Sequence, residues 1–235
     1  MSIRGLLAGR RWWLVVVSDV VLLGLVLIFA LAGKQSSHLQ YMTDFARTLV
    51  LPLLLPFVSL LFATEALGAE VEDRTLVYLT LRPVQSLAIA LPKFLAAALI
   101  SVAAVWVALV LAFAILGRDG GVRMLAALLV ASAVGVGAYC GIFVLLGLLR
   151  RQALLIGFIY VLLWEDAIAG LSTAAAHLSV RFYALGIFAG ILHRDDLLPP
   201  AEAGPAAGGS ALFLIAVTVA AVLYTANRLR RIELQ

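Results

Sequence analysis

Long uninterrupted apolar runs constrain this chain more than any other feature of its sequence. A membrane-spanning helix needs about 20 mostly apolar residues, and six stretches meet or nearly meet that length. They are 12–32, 48–69, 94–116, 124–149, 153–172 and 211–227. Because lipid offers no hydrogen-bond partner to an open strand edge, such runs fold as helices. The sequence therefore predicts an all-α membrane protein with six transmembrane helices, which form a single domain over residues 1–235.

The composition excludes several classes of protein. Hydrophobic residues make up 64% of the chain and charged residues only 13%, against about 25% charged residues in an average soluble domain. This excludes a soluble globular protein, a disordered chain and a nucleic-acid-binding module, although the net charge is +4. The single cysteine, Cys140, excludes a disulfide framework and a cysteine-rich metal site. The lipid bilayer is thus the first predicted partner, and no nucleic acid is expected.

The basic residues predict the orientation of the spans. With both termini in the cytoplasm, 11 lysines and arginines lie inside and 6 outside, which satisfies the positive-inside rule. We therefore expect a multi-pass protein of a bacterial-type cytoplasmic (inner) membrane. The first eleven residues are predicted to form an interfacial helix. For the first span, a signal peptide cleaved near Ala30-Leu31-Ala32, which would leave five spans, is the alternative to an uncleaved anchor. Residues 182–192 are too short to span, and are predicted to form a re-entrant or interfacial segment of the outer loop.

Sequence motifs of soluble enzymes are missing from the chain. It contains no phosphate-binding GxxxxGK[ST] and no HExxH or GxSxG pattern. The three histidines, His38, His177 and His193, do not have the spacing of metal ligands. We therefore predict no catalytic residue, no metal site and no ATP hydrolysis on this chain.

The first cytoplasmic loop carries the densest cluster of charges. Four charged residues lie within 70–74 at the end of the second span, and a helix-compatible stretch follows over 75–81. Arg82-Pro83 ends this stretch, because proline disfavours helix at the residue before it. A tight turn would need only a few residues, and this loop is far longer. The pattern indicates a short helix lying across the cytoplasmic surface.

This loop resembles the first cytoplasmic loop of type 2 ABC exporter permeases, the six-helix membrane subunits of ATP-driven exporters. The matching positions are Glu70, Glu72, Thr75, Leu76, Tyr78, Leu79, Arg82, Pro83 and Lys93. Asp73 and Arg74 depart from the pattern, since many members carry a glycine just before the threonine. A weaker similarity lies in the fifth span, at Leu163-Trp164-Glu165 and Gly170. Together with the six-span layout, the resemblance covers nearly the whole chain.

The resemblance implies a function and a set of partners. The loop would be a coupling helix in a groove of a separate ATP-binding subunit, with Asp73 and Arg74 lying among the contact residues. The chain would be a transporter subunit rather than an enzyme, and one permease of a homodimer or heterodimer. Its cycle would be alternating access that exports an unidentified substrate. ATP and magnesium would bind to the partner ATPase, and this chain would need no cofactor.

Four carboxylates in or near the predicted spans are candidates for a translocation path. They are Asp19, Glu65, Glu165 and Asp166. Such groups are costly in lipid and usually face a bundle interior or water. The alternative role for each is to fix helix packing through a polar partner. Gly137 and Gly141 form a GxxxG motif, which serves helix packing within the chain or a dimer interface.

Two other functions stay open from the sequence. An intramembrane enzyme would use Glu165, Asp166 and a histidine such as His177 on a lipid-linked substrate. A non-transporting membrane scaffold would bind an ATPase without moving any substrate. The enzyme requires the loop motif to be a coincidence, whereas the scaffold uses it only for docking.

Overall fold

The computed structural model describes residues 43–72, 86–116, 121–150, 152–163, 176–193 and 205–233, with Gly24 as one further helical residue. Side chains are described in these ranges except at 67–72, 115, 116, 232 and 233. Apart from Gly24, the predicted first span lies outside the described residues, as do the N-terminal interfacial helix and residues 73–85 of the first loop.

The regular structure in the described ranges is helical throughout. Helix α1 is helical from residue 43, forms a π-helical segment over Ala46–Leu54 and continues as an α-helix over Leu55–Glu72. The other helices are α2 (Ser86–Leu116), α3 (Gly121–Leu149), α4 (Ala153–Tyr160), α5 (Val180–Leu192) and α6 (Ala207–Glu233). Helices α1, α2, α3 and α6 are long and apolar enough to cross a membrane. They lie at the predicted second, third, fourth and sixth spans, and the count of six spans stays a prediction.

Contacts between the helices establish their directions. Helices α1, α3 and α6 run one way, and α2, α4 and α5 run the other way. The pairs that show this are Gly135–Leu55, Gly147–Thr64, Gly137–Thr218, Gly141–Ala221, Trp106–Leu129, Cys140–Ser101, Phe158–Phe57, Gly157–Leu60, Ala184–Gly135 and Ile191–Arg123. We call the end of the bundle at which α1, α3 and α6 finish the lower end, and the opposite end the upper end.

Helix α3 lies at the centre of the described bundle. Helices α1, α2, α5 and α6 all pack against it, while α1 and α6 hardly touch each other. The largest fully buried side chains include Tyr139, Phe143 and Met124 of this helix. Helix α1 is buried to the same extent as α3, whereas α2 and α6 expose apolar side chains along much of their length. An apolar surface of this kind suits helices that face lipid.

Two helices extend beyond the apolar stretches that predicted them. Helix α2 begins at Ser86, before the predicted start at 94, and α6 continues to Glu233 past the predicted end at 227. An apolar run marks only the part of a helix that lies in hydrocarbon, whereas the helix itself continues into the hydrated interface. Pro92 lies inside α2 without ending it. At that height water can bond the carbonyl that loses its backbone donor.

Helix α5 is a half-length helix in the upper part of the bundle. Its 13 residues extend about 20 Å at the rise of an α-helix, against about 30 Å for the hydrocarbon core. The Ser179 hydroxyl accepts the N–H of Phe182 at its start, and His193 closes its end with a left-handed φ of 53°. The helix agrees with the short segment predicted at 182–192, whose re-entrant path stays a prediction.

Candidate coupling and translocation site

The structure describes few of the residues that were predicted to form a site. Glu65 is half-buried on α1, and the backbone of Glu70 and Glu72 belongs to the last turns of the same helix. The other predicted residues lie outside the described part of the chain. They are Asp19, Asp73, Arg74, Thr75, Leu76, Tyr78, Leu79, Arg82, Pro83, Glu165 and Asp166.

Helix α1 connects the membrane core directly to the acidic end of the first loop. It runs without interruption from Leu55 to Glu72, so Glu70 and Glu72 belong to the spanning helix itself. Carboxylates at the C-terminal end of a helix oppose its dipole, and the last turn of α1 carries no basic residue. The two carboxylates therefore do not stabilise their own helix, which favours a role in contacts outside it.

Two glycines bring α1 close to α3 and α4 in the lower half of the bundle. At Gly147 of α3, an added Cβ would lie 2.8 Å from the carbonyl oxygen of Thr64. At Gly157 of α4, an added Cβ would overlap the side chain of Leu60. Small residues of this kind allow membrane helices to approach closely. We call these four residues the lower clasp, since they hold α1, α3 and α4 together.

Aromatic side chains extend the contacts of α4 above the lower clasp. The rings of Phe57 on α1 and Phe158 on α4 are 5.3 Å apart between centroids. Phe143 of α3 stacks on Tyr139 at 5.9 Å and meets Tyr160 of α4 edge-on at 6.4 Å. Each such pair contributes about 0.5–1.5 kcal/mol beyond the burial of its area. The predicted second and fifth spans are therefore in firm contact over this part of their length.

The upper half of α1 is wound differently from its lower half. Ala46–Leu54 form nine residues of π-helix, and the N–H of Leu55 bonds the carbonyl of Val50, five residues back. Pro52 lies inside this segment and Pro56 follows soon after it. In an α-helix a proline ring clashes with the carbonyl four residues earlier, and a wider winding relieves that clash. π-helical segments occur frequently at functional sites, and α4 also continues into one at 161–163.

A small polar cluster joins three helices near the middle of the bundle. Its members, Ser59 of α1, Ser101 of α2 and Cys140 of α3, are fully buried. The Cys140 thiol donates to the Ser101 hydroxyl at 3.6 Å, and the Ser59 side chain lies against the same thiol. Polar contacts between membrane helices contribute about 0.6 kcal/mol on average. The bond between Cys140 and Ser101 therefore helps to hold α2 and α3 in register.

The GxxxG motif serves packing within the chain. An added Cβ at Gly141 would lie 3.2 Å from the Cβ of Ala221 on α6, and at Gly137 it would lie 3.8 Å from the Thr218 hydroxyl. Both glycines therefore face α6 of the same chain rather than a second subunit. Sequence reasoning missed the closer approach at Gly147. The sequence did contain an indication of this approach, since Gly147 is a lone glycine between two pairs of leucines. An isolated glycine in a helix usually has a packing reason.

Comparison with known families decides the class of the protein. A family model described as ABC-2 family transporter protein matches residues 9–177, which is more than half of the chain. The chain belongs to the ABC-2 transporter family. The resemblance carried by the first loop of this ABC-2 permease is thereby confirmed, and the match includes α1–α4. No match was found among the curated proteins or the solved structures.

Membership in the ABC-2 family restricts the functions considered above. It supports a multi-pass membrane protein that is a transporter subunit, and it argues against the intramembrane enzyme. Permeases of this family generally work with an ATP-binding subunit. Among the described residues there is no group of histidine, cysteine or carboxylate side chains that would hold a metal ion.

Proposed function

We propose that this ABC-2 permease is the membrane subunit of an exporter that a separate ATP-binding subunit drives through the first loop. The observation that carries the proposal is the continuity of α1. One unbroken helix connects the lower clasp to the acidic residues Glu70 and Glu72. A force applied at the first loop is therefore delivered directly to the packed core of the membrane domain.

The contact with the ATP-binding subunit is proposed for the stretch that follows α1. Its residues are Glu70, Glu72, Asp73, Arg74, Thr75, Leu76, Tyr78, Leu79, Arg82 and Pro83. The support comes from the match to the family and from carboxylates placed where they oppose the helix dipole. ATP and magnesium belong to the partner, and this chain contributes the surface that senses closure of the partner.

The two halves of α1 suggest how closure of the ATP-binding partner could drive alternating access in the membrane domain. The lower clasp makes the lower part of α1 one rigid unit with α3 and α4, since Gly147 meets the backbone of Thr64 and the Leu60 side chain packs on the backbone of Gly157. The π-helical upper part packs on α5 and has the winding that most easily changes. We infer that the unit tilts on ATP binding and that the upper half opens around the π-helical segment.

The translocation path is proposed to run beside α1 and α4. Glu65 lies next to Thr64 of the lower clasp and is half-buried, and we propose that its carboxylate marks the lower limit of such a path. Asp19, Glu165 and Asp166 are proposed to line its upper part, since carboxylates inside a membrane usually face water or a bundle interior.

A second permease subunit, identical or related, is proposed to complete the path. Helix α4 buries only Ala153, Gly157 and Val161 fully, and Phe158 and Tyr160 add ring contacts to α1 and α3. The remaining faces of α4 and the turn after it expose large apolar side chains. They are Leu154, Leu155, Ile156, Phe158, Ile159, Leu162 and Leu163. Pairing through this surface would bring two copies of the proposed path together.

Charge reversal at the end of α1 tests the function. We expect that Glu72→Lys combined with Asp73→Lys abolishes co-purification of the ATP-binding subunit, while membrane insertion stays normal. Asp44→Lys is the matched control, because Asp44 is an exposed carboxylate at the upper end of the same helix. If the double variant keeps its ATPase partner and supports a normal ATPase rate in liposomes, the coupling assignment is wrong.

Replacement of the two prolines tests the proposed movement of α1. Pro52→Ala with Pro56→Ala restores two backbone donors and favours ordinary α-helix. In a Cys140→Ser background, Leu49→Cys places a buried thiol on the π-helical segment. We expect ATP to increase labelling of this thiol by an impermeant maleimide, and the proline variant to abolish the increase. Pro92→Ala, in another helix, is the control and should keep the increase. If the double variant at Pro52 and Pro56 shows the same ATP-dependent increase as the Pro92 variant, the proposed movement is refuted.

A further inference from the structure

One exposed face of α6 changes from apolar to basic at the lower end of the bundle. From Leu212 to Leu223 its exposed side chains are mostly apolar, and Tyr224 follows with half of its surface exposed. Three arginines, all exposed, then occupy the last two turns. They are Arg228, Arg230 and Arg231. An aromatic residue and basic residues in this order mark the boundary between hydrocarbon and headgroups.

Helix α3 brings a fourth arginine to the same height. Gly141 of α3 packs against Ala221 of α6, and the two helices are parallel. Arg150 and Arg230 each lie nine residues beyond this contact, so they lie at the same level of the bundle. Arg150 is exposed as well. We call Arg150, Arg228, Arg230 and Arg231 the basic face.

The acidic residues of the lower end lie on another side of the bundle. Glu65, Glu70 and Glu72 belong to α1, which packs on α3 and hardly touches α6. The three arginines of α6 are therefore separated from the acidic residues of α1, whereas Arg150 lies at the end of α3, which packs on both helices. Glu233 is the one carboxylate of the described chain that lies on the last turn of α6. Continuity with the exposed apolar side chains of α6 indicates that the basic face meets lipid.

We propose that the basic face binds the phosphate groups of anionic phospholipids in the adjacent leaflet. Guanidinium groups present paired donors that match phosphate oxygens, and the exposed apolar part of α6 contacts the acyl chains of the same lipids. Each basic residue near an anionic membrane surface strengthens binding by about five-fold. Removal of three arginines should therefore weaken binding by about 100-fold if their effects are independent.

The test uses the full-length permease purified without its ATPase, with phosphatidylglycerol and phosphatidylcholine as the lipid probes. Bound lipids are counted by native mass spectrometry over a lipid titration. One variant replaces Arg228, Arg230 and Arg231 with glutamine, and a matched variant replaces them with lysine, which retains the charge. Thermal unfolding in phosphatidylcholine shows that both variants are folded.

We expect the glutamine variant to lose about 100-fold in affinity for phosphatidylglycerol and added salt to weaken binding. The lysine variant should lose less than the glutamine variant, because it retains the charge but not the paired donors. Unchanged phosphatidylglycerol binding by the glutamine variant would overturn the proposal. The arginines would then only stabilise the C-terminal end of α6 through its helix dipole. Equal binding of soluble glycerol phosphate would overturn it as well, since the site would then take a free phosphate rather than a lipid.

Discussion

Substitution of Gly147 by alanine tests the lower clasp, and Gly137 of the same helix supplies a matched control. An added Cβ at Gly147 lies 2.8 Å from the carbonyl oxygen and 3.3 Å from the Cα of Thr64. Both are backbone atoms and cannot rotate away. An added Cβ at Gly137 meets its nearest atom, the Thr218 hydroxyl, at 3.8 Å, which is ordinary contact. The same substitution therefore creates a steric clash at Gly147 and none at Gly137.

The expected magnitudes follow from these distances. Replacing glycine by alanine inside a helix stabilises it by about 1 kcal/mol, and both variants receive this gain. At Gly137 nothing opposes it, so the free energy of unfolding should rise by up to about 1 kcal/mol. At Gly147 helices α1 and α3 must separate, and overpacking of this kind costs about 1–3 kcal/mol. Because the helix term cancels, the two variants should differ by about 1–3 kcal/mol.

Reversible unfolding in mixed detergent micelles, followed by tryptophan fluorescence, measures this difference. Gly141→Ala provides an intermediate point, since its Cβ would lie 3.2 Å from the Cβ of Ala221. The stabilities should therefore rank Gly137→Ala above Gly141→Ala above Gly147→Ala. If the Gly147 variant equals or exceeds the Gly137 variant in stability, α1 and α3 are not in backbone contact, and the lower clasp is refuted.

Three further substitutions or labels test other contacts of the bundle. Trp106→Phe removes the indole donor that lies 3.1 Å from a carbonyl oxygen of α3, and should lower the unfolding free energy by about 0.6 kcal/mol in the same assay. Cys140, the only cysteine and fully buried, should react with maleimide only after unfolding; rapid labelling of the folded protein would contradict its position. Gly190→Ala would place a Cβ 2.6 Å from the first residue of α6, whereas Gly208→Ala meets nothing within 4 Å; the first should lower the melting temperature and the second should not.

The sequence predicts helices well where apolar length alone decides the outcome. The runs at 48–69, 94–116, 124–149 and 211–227 all lie on helices, since a backbone in lipid must satisfy its own hydrogen bonds. The ends of the helices are less predictable from sequence. Hydropathy falls at the membrane–water interface, whereas the hydrogen-bonded helix continues beyond it. The π-helical winding at Ala46–Leu54 was not predicted. Helix α1 is buried on nearly every side, so its apolar pattern has no periodicity that would distinguish one winding from another.

The candidate site, too, was predictable only where the signal is contiguous in the sequence. The loop at 70–83 indicated the family because its motif is contiguous and needs no knowledge of the fold. The lower clasp joins residues of three helices, and which glycine meets which backbone depends on the rotation of each helix about its axis. No linear pattern fixes that rotation when the whole helix is apolar. Gly147 and Gly157 were therefore identified only from the packed structure.

The central position of α3 has a consequence for how the protein is made. Helices enter the membrane in the order of synthesis, so α1 and α2 are inserted before the helix on which both pack. During that interval α1 and α2 can pack on each other, but the surfaces that both turn towards α3 stay uncovered. Arrival of α3 supplies the missing surface for both earlier helices at once. A chain that stalls before α3 thus presents quality-control proteases with two helices that lack their shared packing partner, whereas a chain that has passed it already holds its core.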